Sequence, residues 1–86
     1  MNAILASVSG MDIAYMTPDA MLVRVMGAHT VRLGFDPETT RLQSVAFSPI
    51  DVTTEDITAH AIQQNDVHFL LCEYRDRLLA MTARAI

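Results

Sequence analysis

The stretch "MLVRVMGAHTVRLGF" (21–35) determines the fold that we expect, because apolar and polar residues alternate in it on both sides of a glycine. Alternation with a period of two is typical of strands that bury one face. Gly27 can adopt the positive φ that a hairpin turn needs. The stretch therefore predicts two antiparallel strands joined by a short turn.

The alternation also distinguishes between two possible turns. A two-residue turn of Gly27 and Ala28 would set Arg24 opposite Val31, on a face that the rest of the pattern buries. A three-residue turn, Gly27 to His29, shifts the pairing by one residue, and we predict this turn. The core face then carries Met21, Val23, Val25, Val31, Leu33 and Phe35. The opposite face carries Leu22, Arg24, Met26, Thr30 and Arg32.

Two further strands flank this hairpin, separated from it by the turn sequences "TPDA" (17–20) and "DPETT" (36–40). Each turn contains a proline, which favours a reversal of the backbone. We therefore predict four strands, at Met11–Met16, Met21–Met26, Thr30–Phe35 and Arg41–Phe47.

The second half of the chain changes to a helical period. Pro49 ends the fourth strand, and Thr53 with Asp56 predicts a capped start for a short helix over Thr54–Gln64. Its inward residues are predicted to be Ile57, Ala61 and Ile62. Asn65 or Asp66 can cap a last helix, whose apolar stripe recurs at i, i+3, i+4 and i+7. That stripe consists of Val67, Leu70, Leu71, Tyr74, Leu78 and Met81.

Strands that precede helices, without alternating with them, indicate an α+β domain. The expected order is β-β-β-β-α-α, with a four-stranded antiparallel sheet and both C-terminal helices packed on one face. No repeat or linker interrupts the 86 residues, so we expect a single domain over 1–86.

Composition excludes several classes of function. The net charge is −4, with six arginines and no lysine, so we predict neither nucleic-acid nor membrane-surface binding. One cysteine forms no internal disulfide, no apolar run reaches the length of a membrane span, and "MNAILASVSG" lacks a basic signal region. We therefore expect an intracellular protein. With 51% hydrophobic and 19% charged residues, the chain is apolar enough that we expect part of its surface to contact another chain.

The stretch "NDVHFLLCEYRDRLLAM" (65–81) raises the question of a reactive thiol. His68 and Cys72 are four residues apart and share a helix face, where an imidazolium would lower the pKa of the thiol. A nucleophile also needs an oriented base and an oxyanion site, which the sequence does not supply. Structural zinc needs four ligands, and neither His29 nor His60 has ligand spacing. We interpret Cys72 as a small packed hydrophobe and His68 as a surface residue.

Other polar residues receive similar interpretations. Glu73 and Arg77 predict an i, i+4 ion pair on a solvated face, and Asp36 with Glu38 predicts a turn that lacks the oxygens of a calcium loop. The six methionines are scattered and favour core filling over a soft-metal site. We therefore predict no catalytic residue, no metal and no cofactor.

The order of elements and several stretches resemble a known family. The stretches are "GMDIAYM", "AMLVRVM", "VRLGFDPETTRLQSVAFSP" and "AIQQNDVHFLLCEYRDRLLAM". Together they are similar to the globular C-terminal heads of the Spc-type subunits of the four-protein outer-kinetochore complex. The closing part also matches in pattern, with a break at Asn65 and Asp66 and then an aromatic residue and an arginine, Phe69 and Arg75. Monopolin-type kinetochore heads are similar as well.

The resemblance implies an RWD-like fold and a role in protein binding. Such heads pack against a sister head, as homodimers or heterodimers, and receive a helical peptide of an inner-kinetochore receptor. It implies a location in the nucleus, at the kinetochore and centromere, and otherwise in the cytoplasm. A long coiled coil precedes these heads, whereas Met1 to Ser9 shows no heptads. Within this resemblance the chain is a head excised from a longer coiled-coil protein, or a different member.

These observations together predict a non-enzymatic protein-interaction and dimerisation domain of a kinetochore subunit, which acts in chromosome segregation during mitosis and cell division. Two alternatives stay open, a small cysteine-dependent enzyme or redox domain that uses Cys72, and an unrelated dimerisation module with the same element order. The predicted partner-binding residues are Leu22, Arg24, Met26, Arg32 and Phe69.

Overall fold

The computed structural model describes residues 9–85, with side chains through Thr82. Its four strands are Met11–Thr17 (β1), Ala20–Val25 (β2), His29–Phe35 (β3) and Leu42–Ser48 (β4). Two helices follow, Glu55–Gln64 (α1) and Val67–Ala85 (α2). The predicted α+β class and element order are confirmed. The expectations about heptads and a signal region concern Met1 to Ser9 and residues 1–10, of which residues 1–8 lie outside the described residues.

The sheet is an antiparallel meander in which each strand pairs with its neighbour in sequence, in the order β1-β2-β3-β4. β1 and β4 are therefore the two edge strands. A bulge interrupts β1 between Ile13 and Tyr15. A second irregularity lies between β3 and β4 at Gly34 and Phe35.

The central hairpin buries the predicted face, but its turn lies one residue earlier than predicted. Val25 pairs with His29, so the turn is Met26–Ala28 and Val23 lies opposite Val31. Both Met26 and Gly27 have positive φ, 54° and 79°, and the N–H of Met26 donates to the carbonyl of Gly10 at 2.7 Å. This bond to the residue before β1 holds Met26 in the turn, so Met26 is not part of β2. Relative to the predicted register, each residue of β2 therefore pairs with a β3 residue two positions earlier in the sequence.

One hydrophobic core lies between the sheet and the helices. The inward residues of the central strands, Val23, Val25, Val31 and Leu33, are fully buried. On the helices, the buried residues are Ile57, Ala61, Val67, Leu70, Leu71, Tyr74 and Leu78. The predicted stripe is thus confirmed, with Met81 half-buried at its end. Phe35, predicted as core, is half-buried, because it lies at the end of β3 beside the irregularity.

The predicted cap of the first helix is wrong, whereas the cap of the last is confirmed. Thr54 is the residue that precedes α1, and it makes no side-chain capping bond. At α2, the Asp66 carboxylate accepts from the N–H of Phe69 at 3.0 Å. Asn65 ends α1 in the left-handed conformation, and its Oδ1 accepts the N–H of Leu42 at 2.8 Å. This one side chain joins the end of α1 to the start of β4.

Arg77 has a different partner from the one expected. It contacts Asp56 on α1 with two bonds, at 2.8 Å and 2.6 Å, and donates to the carbonyl of Thr53 at 2.7 Å. The predicted pairing of Arg77 with Glu73 is therefore replaced by a link between the two helices. The guanidinium of Arg77 forms two parallel bonds to the Asp56 carboxylate, and this bidentate geometry matches a carboxylate better than an i, i+4 ion pair along one helix does. Over the described residues, no helix is long and apolar enough to cross a membrane.

Candidate protein interface

Within the part of the chain that the structure describes, the outer face of the sheet carries no second layer. The inward strand residues and the buried residues of both helices belong to one core cluster, so both helices lie on the same side. The alternation of β2 and β3 sends Leu22, Arg24 and Arg32 to the other side, as the sequence predicted. This outer sheet face is the first candidate site.

One row of side chains crosses the whole outer sheet face. Tyr15, Leu22, Arg32 and Ala46 are direct cross-strand partners, one from each strand. Neighbouring side chains in such a row lie about 5 Å apart at Cβ, close enough to form one continuous surface. Tyr15 is 39% exposed and Leu22 is half-buried. The row combines an aromatic ring, an aliphatic side chain and a guanidinium.

The two predicted arginines of this face differ in their surroundings. Arg24 donates to one carboxylate oxygen of Asp12, from Nε at 3.1 Å and from an Nη at 2.6 Å. Both side chains are about half exposed, so this ion pair adds little to stability. Arg32 is exposed and, among residues 9–82, has no carboxylate partner. Arg32 is therefore the arginine whose charge is available to an incoming anion.

The remaining predicted interface residues lie elsewhere. Met26 is in the turn at one end of the sheet, 44% exposed, with its sulfur close to Gly10. A Cβ built on Gly10 would lie 2.8 Å from that sulfur, so the turn and Gly10 fit closely. Phe69 is half-buried on α2, in the helical layer, where its ring lies 4.4 Å from that of His60. The structure thus brings three of the five residues together and leaves Phe69 on the other side of the molecule.

The outer edge of β4, which pairs with no other described strand, is a feature that the sequence interpretation missed. Beside this edge lies an open groove of about 560 Å³ between β4 and α1, lined by Val45, Phe47, Thr58 and Ala59 among others. Ile50, at the mouth of the groove, is 82% exposed. The only sequence signal for this site is the lack of charged residues in β4, which gains meaning once β4 is known to be an edge.

The contact between His68 and Cys72 exists but is weak. The Cys72 sulfur lies 3.9 Å from Nδ1 and 3.8 Å from Nε2 of His68. Two nearly equal distances mean that the sulfur lies beside the ring and is not aligned with one nitrogen lone pair. Cys72 is half-buried against the core, and His68 is exposed. Over the described residues, no group of three or more His, Cys, Asp or Glu side chains could hold a metal ion.

A polar cluster joins the sheet to the segment before α1. Nε2 of His29 lies 2.9 Å from a carboxylate oxygen of Asp51, and its ring meets that of Tyr74 edge-on at 6.1 Å. Tyr74 also packs on Phe47 at 4.6 Å. Burial, reinforced by the charge of Asp51, raises the pKa of Tyr74 to about 12, so its phenol stays protonated. The cluster therefore holds the chain between β4 and α1 in place.

The link between the helices sits beside a second cavity. The hydrogen bond from Arg77, with a smaller contribution from its charge, lowers the pKa of Asp56 from 3.8 to about 2. The same partner raises the pKa of Arg77. The cavity of about 430 Å³ is lined by Asp51, Val52, Thr53, Arg77, Ala80 and Met81. These charges are matched within the protein, which fits a structural role better than a catalytic one.

Among the surfaces of the described region, the outer sheet face and the β4 edge have the chemistry of protein contacts. The first offers a row with aromatic, aliphatic and guanidinium groups, and the second offers an uncharged strand beside an apolar groove. Searches against protein-family models, curated proteins and solved structures found no match to this chain. The resemblance to kinetochore heads therefore stays a prediction.

Proposed function

We infer that this chain is a non-enzymatic protein-interaction and dimerisation domain, whose outer sheet face receives an acidic helical segment of another protein. The observation that carries this proposal is the row Tyr15, Leu22, Arg32 and Ala46 on a sheet face that no other described element covers. A two-layer domain of this size leaves such a face free for a partner.

The chemistry of the row supports the choice of partner. Tyrosine and arginine are enriched in protein interfaces, where a ring or a long aliphatic stem packs while the polar end is bonded. Arg32 can donate two parallel bonds to a carboxylate, and it has no such acceptor among the described residues. A helix with an acidic residue flanked by apolar residues would satisfy Arg32 and cover Leu22 and Tyr15 together.

For the cellular setting, we propose a head domain of a kinetochore subunit, at the centromere in the nucleus. The support is the resemblance of the stretches between "GMDIAYM" and "AIQQNDVHFLLCEYRDRLLAM" to Spc-type heads. The partner would then be the helical peptide of an inner-kinetochore receptor, and the domain would link that receptor to the microtubule-binding complex.

The test is affinity capture from extracts of dividing cells, with the chain itself as bait and identification of the bound proteins by mass spectrometry. We expect inner-kinetochore proteins to bind the wild-type chain and to be lost from the Arg32→Glu bait, because a glutamate there would repel an acidic helix. Arg41→Glu is the matched control, since Arg41 is also exposed and its guanidinium, among the described residues, donates only to the carbonyl of Gln63, at 3.5 Å.

Two results would contradict the proposal in different ways. Recovery of metabolic enzymes alone by the wild-type bait would end the kinetochore assignment. Equal recovery of a kinetochore protein by the wild-type and Arg32→Glu baits would show that the outer sheet face is not the binding site. Circular dichroism of each bait verifies that the substitution leaves the fold unchanged.

A further inference from the structure

The two edges of the sheet differ in their protection against pairing with another strand. β1 carries Asp12 and a bulge after Ile13, whereas a proline directly follows each of the two edge strands, Pro18 after β1 and Pro49 after β4. Charges, bulges and prolines are the devices by which natural proteins prevent edge strands from pairing. β4, with the sequence "LQSVAFS" (42–48), has no charged residue, no proline and no glycine. Its irregularity lies at the first residues, so the remainder is a regular, unprotected edge.

Along this edge the backbone of β4 presents N–H and C=O groups that no other described strand bonds. The N–H of Phe35 donates to the backbone carbonyl of Asp19, in the turn before β2. Backbone groups alternate in direction along a strand, so those of the odd-numbered residues of β3 point toward β2 and those of the even-numbered residues point toward β4. Arg32 and Gly34 therefore bond with their partners Ala46 and Ser44. By the same alternation, the N–H and C=O groups of Val45 and Phe47 point out of the sheet.

The surface next to these groups suits the close approach of another domain. On α1, the side chains of Glu55, Thr58, Ala59 and Ile62 follow helical spacing, and the first three line the groove beside β4. Two of those three are small, so a second helix could approach α1 closely. The groove continues the edge of the sheet on its inner side, and its other lining residues are mainly apolar.

We propose that β4 pairs antiparallel with β4 of a second copy of this chain, about a two-fold axis through Val45, and so forms a continuous eight-stranded sheet. This inference rests on the proposed function, because it names the surface and the partner of the dimerisation. In this register Val45 lies opposite Val45 of the other copy, and Ser44 lies opposite Ala46.

Charge limits where a second copy can pair with this chain. Two copies that each carry a net charge of −4 repel one another over most of their surfaces. Pairing through β4 places only neutral side chains opposite one another. A two-fold axis also makes the edge complementary to itself at its centre, since the outward N–H of Val45 in each copy meets the outward C=O of Val45 in the other.

Sedimentation velocity of the full chain, from about 1 µM to about 200 µM, tests this inference. We expect the wild-type mass to rise with concentration from 9.5 kDa toward twice that value. Ala46→Glu should weaken the dimer at least tenfold, because the two added carboxylates would be diagonal neighbours across the axis, about 7–8 Å apart on the same face. Thr30→Glu is the matched control, since each substitution sets a glutamate opposite an arginine on the outer face, but Thr30 lies on an inner strand.

A cross-link tests the register. The variant combines Ser44→Cys and Ala46→Cys in a Cys72→Ser background. The thiol at position 44 of each copy then lies opposite the thiol at position 46 of the other copy. These are non-hydrogen-bonded positions, where opposed Cα atoms lie about 4.5 Å apart. We expect a covalent dimer on mild oxidation. A monomer at every concentration, a dimer that Ala46→Glu leaves intact, or a dimer without the cross-link would overturn the inference. None of these results decides the capture experiment with Arg32→Glu, so the two proposals can fail separately.

Discussion

At the scale of single residues, Tyr74 combines complete burial with a hydroxyl that, within residues 9–82, has no hydrogen-bond partner. Its ring packs on Phe47 and meets His29 edge-on. A buried hydroxyl without a partner adds desolvation cost and no compensating bond. The contribution of Tyr74 to stability therefore comes from its ring.

We predict that Tyr74→Phe keeps or slightly raises stability at neutral pH and reduces the loss of stability in alkali. The pKa is raised from 10.0 to about 12 in the folded protein, so the stability linked to this phenol is fully present below pH 10. It is lost as the pH rises through about 12, because the unfolded chain ionises first. Denaturant midpoints at pH 8 and pH 11 measure this effect. The same substitution at the exposed Tyr15, Tyr15→Phe, is the control. The prediction is contradicted if Tyr74→Phe loses as much stability between pH 8 and pH 11 as the wild-type chain does.

At the scale of elements, α2 supplies five of the seven buried side chains that the helices contribute to the core. Leu71 is fully buried in the centre of its stripe, whereas Leu79, two turns later, is 45% exposed. Leu→Ala at both positions changes helix propensity equally, so the difference in stability between the two variants reports the burial of Leu71.

We predict that Leu71→Ala costs about 2–5 kcal/mol of unfolding free energy, typical of a leucine truncated in a packed core. A domain of this size has little stability to lose, so cooperative thermal unfolding should weaken or vanish. Leu79→Ala should change the melting temperature little. Similar melting temperatures for the two variants would show that the inward face of α2 has been assigned incorrectly.

The contact between α1 and α2 through Asp56 and Arg77 predicts an acid-sensitive step. Because the pKa of Asp56 is lowered from 3.8 to about 2, the stability linked to this carboxylate is present above pH 3.8 and is lost as the pH falls toward 2. We expect Asp56→Asn to lose less stability than the wild-type chain between pH 5 and pH 2.5. Thermal melts at both pH values measure this. Asp76→Asn is the control, because the Asp76 carboxylate, among the described residues, contacts only its neighbour Arg75. Parallel acid losses in the wild type and in Asp56→Asn would contradict the prediction.

The elements themselves were predictable from the sequence, while their contacts were not. Period-two and helical spacing identify which residues are buried, because burial follows the geometry of one element at a time. The turn at Met26 depends on a bond to Gly10, and the partner of Arg77 depends on the packing of α1 against α2. Both facts arise from residues far apart in sequence, so local pattern could not supply them.

At the scale of the whole molecule, the same distinction applies to the candidate sites. Alternation in the hairpin correctly put Leu22, Arg24 and Arg32 on one face. Tyr15 was missed because the bulge after Ile13 breaks the alternation of β1. The β4 edge could not be identified either, since a strand is an edge only by virtue of the order of the complete sheet.

The meander has a consequence for biosynthesis. Because every strand pairs with its neighbour in sequence, each hairpin can close through a short loop as soon as its second strand has left the ribosome. The helices that cover the inner face come after all four strands in the chain. A sheet that formed during translation would therefore expose Val23, Val31 and Leu33 until α2 is made, and transiently exposed apolar surface of this kind is what chaperones bind.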